Sequence, residues 1–289
     1  MKIHLVDGTY ELFRAHYGAP PKEAPDGRQV GATLGFIRSM MLLLSNPEVT
    51  HVAIAFDHVI ESFRNDLYPG YKSSEGVDPV LLDQFPLAEK AAAALGLVTW
   101  PMVEFEADDA IATAVERFRK NKSVEQIVIC SVDKDLTQMV EGGRVVCWDR
   151  RREIILDEKG VIEKFGVPPE SIPDYLALVG DSADGYPGIR GWGARSAATV
   201  LAKFQHIQSI PKNPAKLPLG LGRAATLLEN LKANYKESLL FRELATLRRD
   251  VPLAETLPDL EWRGARSQLK KLCAELGDSR IPERVTKWQ

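Results

Sequence analysis

The chain has 289 residues, 45% hydrophobic and 27% charged, with a formal net charge of −3. This is ordinary globular composition, enough for one large domain or two smaller ones. No apolar run reaches the ~18 residues of a membrane helix, Met1 leads directly into the first predicted strand with no room for a secretory leader, and there is no internal repeat or low-complexity tract, so a cytoplasmic protein with no membrane partner is expected.

In chain order, the first predicted strand is Lys2 to Val6, ending at Asp7, and Thr9 to Phe13 is expected to begin a helix. Gly31 to Leu44 has helical spacing, with Phe36, Ile37, Met40, Met41 and Leu44 on one side. Val52 to Phe56 forms a second strand ending at Asp57. The polar stretch Ser62 to Pro79 reads as irregular. Leu81 to Leu95 reads as an Ala-rich helix stopped by Gly96, Leu97 to Trp100 as a short strand, and Ala107 to Lys120 as a helix led by acids that suit the positive end of its dipole. Gln126 to Val132 is a third long strand ending at Asp133, and Val145 to Asp149 a further one. Alternating strands and helices predict an α/β class with a mainly parallel sheet. After Pro168 strand signals fade and the chain reads as helical, with a loop over Ile210 to Leu219. The division falls near residue 165, giving regions 1–165 and 166–289.

Cys130, Cys147 and Cys273 are far apart, odd in number and without a CxxC pair, so they read as reduced packing residues. The histidines do not cluster with them, which argues against a zinc site. A Walker P-loop is absent, so an ATPase reading lacks support.

Three strands ending on aspartate matter because ligands of open α/β sheets bind outside the carboxyl ends of the strands. Asp7, Asp57 and Asp133 are therefore expected in one crevice. Glu106, Asp108, Asp109, Asp135, Asp181 and Asp184 add further acids without cationic partners evident alongside. So many like charges call for divalent cations, and hard oxygen donors point to magnesium or manganese. Each cluster alone has an ordinary reading: dipole complement at Glu106–Asp109, turn former at Asp133–Asp135, loop at Asp181–Asp184. Their coincidence carries the weight. Two ions about 4 Å apart, held by several carboxylates, would serve an in-line phosphoryl displacement.

Charge is also unevenly spread. Gly185 to Arg249 holds eleven Lys/Arg and three Asp/Glu, +8, which leaves −11 for the rest. An acidic crevice beside a basic region suits a polyanion held by one part and cut by another. Within the basic stretch, Pro187 to Ala198 has Gly188, Gly191 and Gly193 followed by a helix, with Arg190 and Arg195 beside them. A Gly-rich turn opening a helix exposes backbone N–H groups to phosphate. The pattern fits a helix-hairpin-helix type clamp on a duplex backbone, or a plain interhelix turn. Trp192 reads as a core anchor. Arg64, Tyr71 and Lys72 follow the second strand within reach of its carboxyl end and could meet a phosphate.

Together the stretches Leu5-Val6-Asp7-Gly8, Phe56-Asp57, Ser62-Phe63-Arg64, Gly70-Tyr71-Lys72, Glu106-Ala107-Asp108-Asp109, Asp133-Lys134-Asp135-Leu136, Gly180-Asp181 through Asp184, and Pro187 through Ala197 resemble the bacterial and phage 5′-3′ exonuclease/flap endonuclease family, which includes the 5′-nuclease domain of bacterial DNA polymerase I. The resemblance implies a PIN-like nuclease domain with two metal sites, followed by a helical region with a helix-three-turn-helix. It places Asp7, Asp57, Glu106 and Asp108 on the first metal and Asp133, Asp135, Asp181 and Asp184 on the second, with Asp109 nearby and Asp133 as a possible bridge. It gives Arg64 and Lys72 catalytic roles at the base of an arch that admits the 5′ single strand. It assigns DNA contacts to Tyr71, Arg190, Gly191, Gly193, Arg195 and Ser196, and potassium to the backbone carbonyls of Leu178, Val179, Pro187, Ile189 and Trp192. The implied partner is DNA with 5′ flaps, nicks or 5′ ends, bound by a monomer. Two departures stand out: Ser73-Ser74-Glu75 where the family usually has another arginine, and Gly185 where it usually has asparagine after the last metal acid. A non-catalytic DNA-junction binder and a PIN-class ribonuclease are the alternatives. The full set of acids argues against the first, and the duplex clamp against the second.

Overall fold

The computed structural model describes residues 1–18 and 20–289. In chain order its elements are β1 (Lys2–Asp7), α1 (Gly8–Gly18), α2 (Gly31–Leu44), β2 (His51–Asp57), α3 (Phe63–Leu67), α4 (Pro79–Leu82), α5 (Phe85–Ala94), β3 (Val98–Met102), α6 (Ala107–Phe118), β4 (Gln126–Cys130), β5 (Val145–Asp149), β6 (Ile154–Leu156), α7 (Glu158–Phe165), α8 (Ile172–Val179), α9 (Ala194–Phe204), α10 (Leu221–Ala233), α11 (Tyr235–Ala245) and α12 (Gln268–Glu275). They form two compact units, each discontinuous in sequence. Unit 1 comprises residues 1–60, 74–132 and 249–289, and unit 2 comprises 61–73 and 133–248.

Unit 1 carries a parallel sheet in the order β3-β2-β1-β4. β1 and β2 are buried along almost their whole length. Their unbroken apolar runs suit strands covered on both faces. The register pairs Asp7 with Ala55, so Asp57 stands two residues further along β2. Val6 pairs with Cys130, which brings Ser131 beside Asp7.

Two predicted elements differ. β4 ends at Cys130, so Asp133 lies three residues past the strand rather than on its last residue. The predicted helix over Leu81 to Leu95 is two helices, α4 and α5. Pro86 lacks an N–H and its ring would clash with the carbonyl of Leu82, where α4 ends. Gly96 does stop α5: its φ is +80°, and a Cβ there would sit 2.1 Å from the Gly264 carbonyl oxygen.

The C-terminal segment closes over unit 1. Trp262 Nε1 donates to the Leu95 carbonyl at 2.9 Å, Arg117 Nη1 to Leu253 O at 2.9 Å, and Ala265 bridges to Trp288. Cys130, Cys147 and Cys273 are free and buried. No helix among the described residues is long and apolar enough to cross a membrane.

Unit 2 contains the antiparallel hairpin β5–β6 and a helical assembly led by α8 packed on α11. β6 escapes a sequence reading because it is three residues long and its Ile154 and Ile155 are exposed. The stretch predicted as irregular contains α3, which Ser62 and Asn65 nucleate as a capping box. Phe241 of α11 stacks on Tyr186, with ring centroids 5.5 Å apart, and meets Tyr68 edge-on.

Candidate functional site

In unit 1, each acid is fixed by a local device. Asp7 ends β1, where its Oδ1 accepts the Tyr10 N–H of the first turn of α1 and its Oδ2 accepts the Ser131 hydroxyl, each at 2.8 Å. Asp57 ends β2; its Oδ1 accepts the Ala107 N–H at 2.7 Å, and its own N–H donates to Thr9 Oγ1 at 2.8 Å. A strand end thereby meets the amino end of α6, where a carboxylate is electrostatically favoured. Glu106 is the N-cap of α6, and Asp109 Oδ2 accepts the Glu106 N–H at 3.0 Å. Asp109 is fully buried in this capping role, whereas Asp108 is half-buried.

In unit 2, three acids converge. Asp135, Asp181 and Asp184 are all buried, and each offers a carboxylate oxygen within 4.8 Å of the other two. Asp135 opens the short 3-10 turn Asp135–Met139. That turn is anchored by Gln138, whose Nε2 donates to the Asp135 and Ala245 carbonyls and whose Oε1 accepts the Leu247 N–H. Asp181 and Asp184 sit on a loop closed by reciprocal Asp181–Tyr186 backbone hydrogen bonds of 2.9 and 3.1 Å. Asp133 is exposed at the start of the same stretch as Asp135, and its Oδ1 accepts the Asp135 N–H.

The electrostatics follow from this crowding. Burial, then the charges of Asp133, Asp184 and Asp181, push the Asp135 carboxyl well above the usual carboxylate range, against a smaller opposing pull from Lys134. Asp135 Oδ1 is buried with no hydrogen-bond partner. The Tyr186 hydroxyl is also buried without one, and burial together with the same acids raises its pKa.

The expectation that the acids lack cationic partners is overturned. Lys134 Nζ lies 2.5 Å from Asp181 Oδ2, and Lys72 Nζ lies 3.7 Å from Asp184 Oδ1. The Lys72 N–H also donates to the Asp184 carbonyl at 2.9 Å. Burial works against the Lys134 charge, but the Asp181 hydrogen bond and the surrounding acids outweigh it and raise its pKa. The sign of Lys134's role was legible in Asp133-Lys134-Asp135, where a lone cation sits between acids. Ser131 and Thr9, which hold Asp7 and Asp57, gave no sequence signal.

Several expected contacts point elsewhere. Arg64 is 1% exposed, with Nε on the Leu244 carbonyl at 2.8 Å and Nη2 on the Thr246 carbonyl at 3.3 Å. It braces α3 against the end of α11. Tyr71 is buried. Ser196 is buried too, its hydroxyl spent on the Gly193 N–H and carbonyl. Trp192 is a core anchor, with Nε1 on the Leu227 carbonyl at 3.1 Å. Arg190, Gly191 and Arg195 are exposed around the amino end of α9, with Gly193 half-buried there. Of the five carbonyls assigned to potassium, Leu178 O already accepts the Ile189 N–H and Ile189 O the Trp192 N–H.

The donor set of unit 2 fits a hard divalent cation: three buried carboxylates, one with an orphaned oxygen, and no Cys or His among them. Comparison with known proteins gives this its family. Residues 2–166 match the model of the 5′-3′ exonuclease N-terminal resolvase-like domain, and residues 167–268 match that of the 5′-3′ exonuclease C-terminal SAM fold. The chain belongs to the 5′-3′ exonuclease family. It is 32% identical over 276 residues to a 5′-3′ exonuclease of Aquifex aeolicus, covering 95% of this chain and 90% of that one. It is 35% identical over 260 residues to DNA polymerase I of Rhizobium leguminosarum, covering 87% of this chain but spanning 25% of the polymerase. Among solved structures, the T5 D15 protein co-crystallised with metal ions is 17% identical with a TM-score of 0.66, over 98% of this chain and 97% of that one. A T5 D15 flap endonuclease complexed with DNA and metal ions gives the same score at 18% identity, over 98% and 96%. These likenesses establish the fold: a mostly parallel sheet with helices in the resolvase-like part and a helical SAM-like part.

Proposed function

We propose that this chain is a metal-dependent nuclease that hydrolyses phosphodiester bonds of DNA at 5′ ends and 5′ flaps. The observation that carries the reading is the buried triad Asp135, Asp181 and Asp184 with an orphaned oxygen on Asp135. Lys134 and Lys72 offset Asp181 and Asp184, but Asp135 has no ion pair among the described residues, and its desolvated carboxylate is costly to leave uncompensated. With Asp133 they hold one ion, while Asp7, Asp57, Glu106 and Asp108 hold another. Bound there, magnesium or manganese supplies Lewis acidity toward phosphoryl oxygens.

The remaining work falls to the chain's own residues. Lys72, anchored by its N–H to the Asp184 carbonyl, places a cation beside the triad, where it can offset charge growing on the phosphate. Arg64 positions it indirectly: it fixes α3, and Asn65 of that helix donates to the Lys72 carbonyl at 3.0 Å. Arg190, Arg195 and the N–H groups opening α9 grip duplex phosphates, which fixes position without reading sequence. Potassium on the carbonyls of the 178–192 turn would stiffen that grip.

The test is cleavage of end-labelled DNA 5′-flap, nicked, blunt and RNA-flap substrates in magnesium and in excess EDTA. The expected result is magnesium-dependent cutting at the DNA flap and 5′ ends. Robust cutting in EDTA overturns the metal reading, tight flap binding without cutting supports a junction binder, and preference for RNA supports a ribonuclease.

A further inference from the structure

Unit 1 holds a second concave site. Arg38 and Leu42 of α2 share a cavity of about 300 Å³ with Arg280, Ile281 and Arg284 of the C-terminal segment. Its one lining acid, Asp278, is buried. Asp278 takes Arg38 Nη2 at 2.7 Å, Arg280 Nε at 3.6 Å and Lys22 Nζ at 3.8 Å. One carboxylate is thus shared by three cations. Arg284 is exposed and has no ion pair among the described residues. The cavity and its edge therefore carry an excess of positive charge. Arg38 and Arg280 are 48% and 77% exposed, so both reach solvent. Leu42 is 73% exposed, an apolar side chain standing at the mouth.

The site is not an extension of the unit 1 acids. The chain leaves α2 at Ser45 to enter β2 at His51, so the carboxyl end of α2 lies toward the amino ends of the strands. Arg284 also lines a small crevice with Leu95 and Trp262. Leu95 precedes β3, and the Trp262 N–H donates to the Thr50 carbonyl just before β2. Asp7 and Asp57 stand at the opposite, carboxyl ends of β1 and β2.

Arginine forks bind carboxylate and phosphate alike. The lining decides between them. A duplex backbone is met by a row of cations along a track, whereas here guanidiniums surround one pocket with Leu42 and Ile281 in its wall. An acidic segment carrying an apolar side chain complements both features. We propose that this pocket docks a short acidic segment of a partner protein, with an apolar side chain between Leu42 and Ile281 and carboxylates on Arg280 and Arg284. A nuclease tethered there would keep the strand ends that carry Asp7 and Asp57 clear for substrate.

The test uses the full chain and a fluorescein-labelled peptide, Asp-Glu-Asp-Asp-Leu-Phe with a free carboxyl end, read by anisotropy. A control peptide carries Lys in place of each acid, and a labelled blunt duplex of about twenty base pairs reports DNA binding. The acidic peptide is expected to bind and the control not. Replacing the exposed pair, Arg280→Glu with Arg284→Glu, should weaken peptide binding by at least about tenfold. Duplex affinity and flap cleavage should stay unchanged, and the variant should remain folded at the assay temperature. Failure of the acidic peptide to bind the wild type, or equal binding by the double variant, overturns the proposal. Loss of duplex affinity in that variant would make the pocket a DNA surface and overturn it too.

Discussion

Lys134 Nζ stands 2.5 Å from Asp181, and Lys72 Nζ 3.7 Å from Asp184. Two of the three triad acids pair with a lysine, and a cation bound as proposed would compete with Lys134 for Asp181. Replacing Lys134 by methionine keeps its length and removes the competitor. The Lys134 side chain is 34% exposed, so the pair is discounted for solvent screening. Lys134→Met should raise manganese affinity about three- to tenfold in calorimetry. Unchanged or weaker affinity would show that the lysine does not compete. The acids themselves were legible from strand-end positions and clustering. Their lysine partners were less so: Lys72 and Asp184 are far apart in sequence, and nothing in the neighbours of Lys72 indicates the pairing. Arg64 shows the converse. Its place in the family's pattern suggested a phosphate contact, while its burial against two carbonyls, invisible in sequence, makes it a brace.

At the scale of elements, the loop carrying Asp181 and Asp184 explains the departure at Gly185. Its φ is +85°, and a Cβ there would lie 2.2 Å from the Gly70 carbonyl oxygen. Asparagine tolerates positive φ, but any Cβ meets backbone at that distance. The glycine therefore lets the Gly70–Lys72 stretch pack directly on the acid loop, with the Lys72 N–H on the Asp184 carbonyl. Gly185→Asn should destabilise the protein by about 1–3 kcal/mol in urea unfolding and weaken manganese binding. A variant of wild-type stability would mean that the Gly70 stretch yields freely. Helix boundaries show why elements are read better than their breaks. The spacing over Gly31–Leu44 matches α2 residue for residue because an apolar face spans it without proline. The Ala-rich run is equally helical in composition, yet Pro86 divides it.

At the scale of the whole molecule, the least legible part was the C-terminal segment. Residues 249–289 return to unit 1, held by scattered main-chain contacts and by Asp278. No periodicity announces such contacts. Burial opposes the Asp278 charge, but the Arg38 hydrogen bond and the Lys22 charge outweigh it and hold its carboxyl below the usual range. A depressed folded-state pKa gives stability that is present above the unfolded value of about 3.9 and lost as pH falls through the folded one. Asp278→Asn should therefore cost about 1–2 kcal/mol near neutral pH, and almost nothing once the wild-type carboxyl is protonated in acid. Equal losses at both ends of an unfolding series in pH would assign the effect to packing instead.

As proposed, the buried acids of unit 2 hold the ion on which cleavage depends. Single-turnover cleavage of one 5′-flap substrate in magnesium, with flap binding measured in parallel for wild type and Asp181→Ala, tests it most directly. The expected result is a fall in the cleavage rate of at least about 10²-fold with flap affinity retained, because affinity, as proposed, would come mainly from phosphate contacts of the basic helical region. Wild-type turnover by Asp181→Ala would contradict the account.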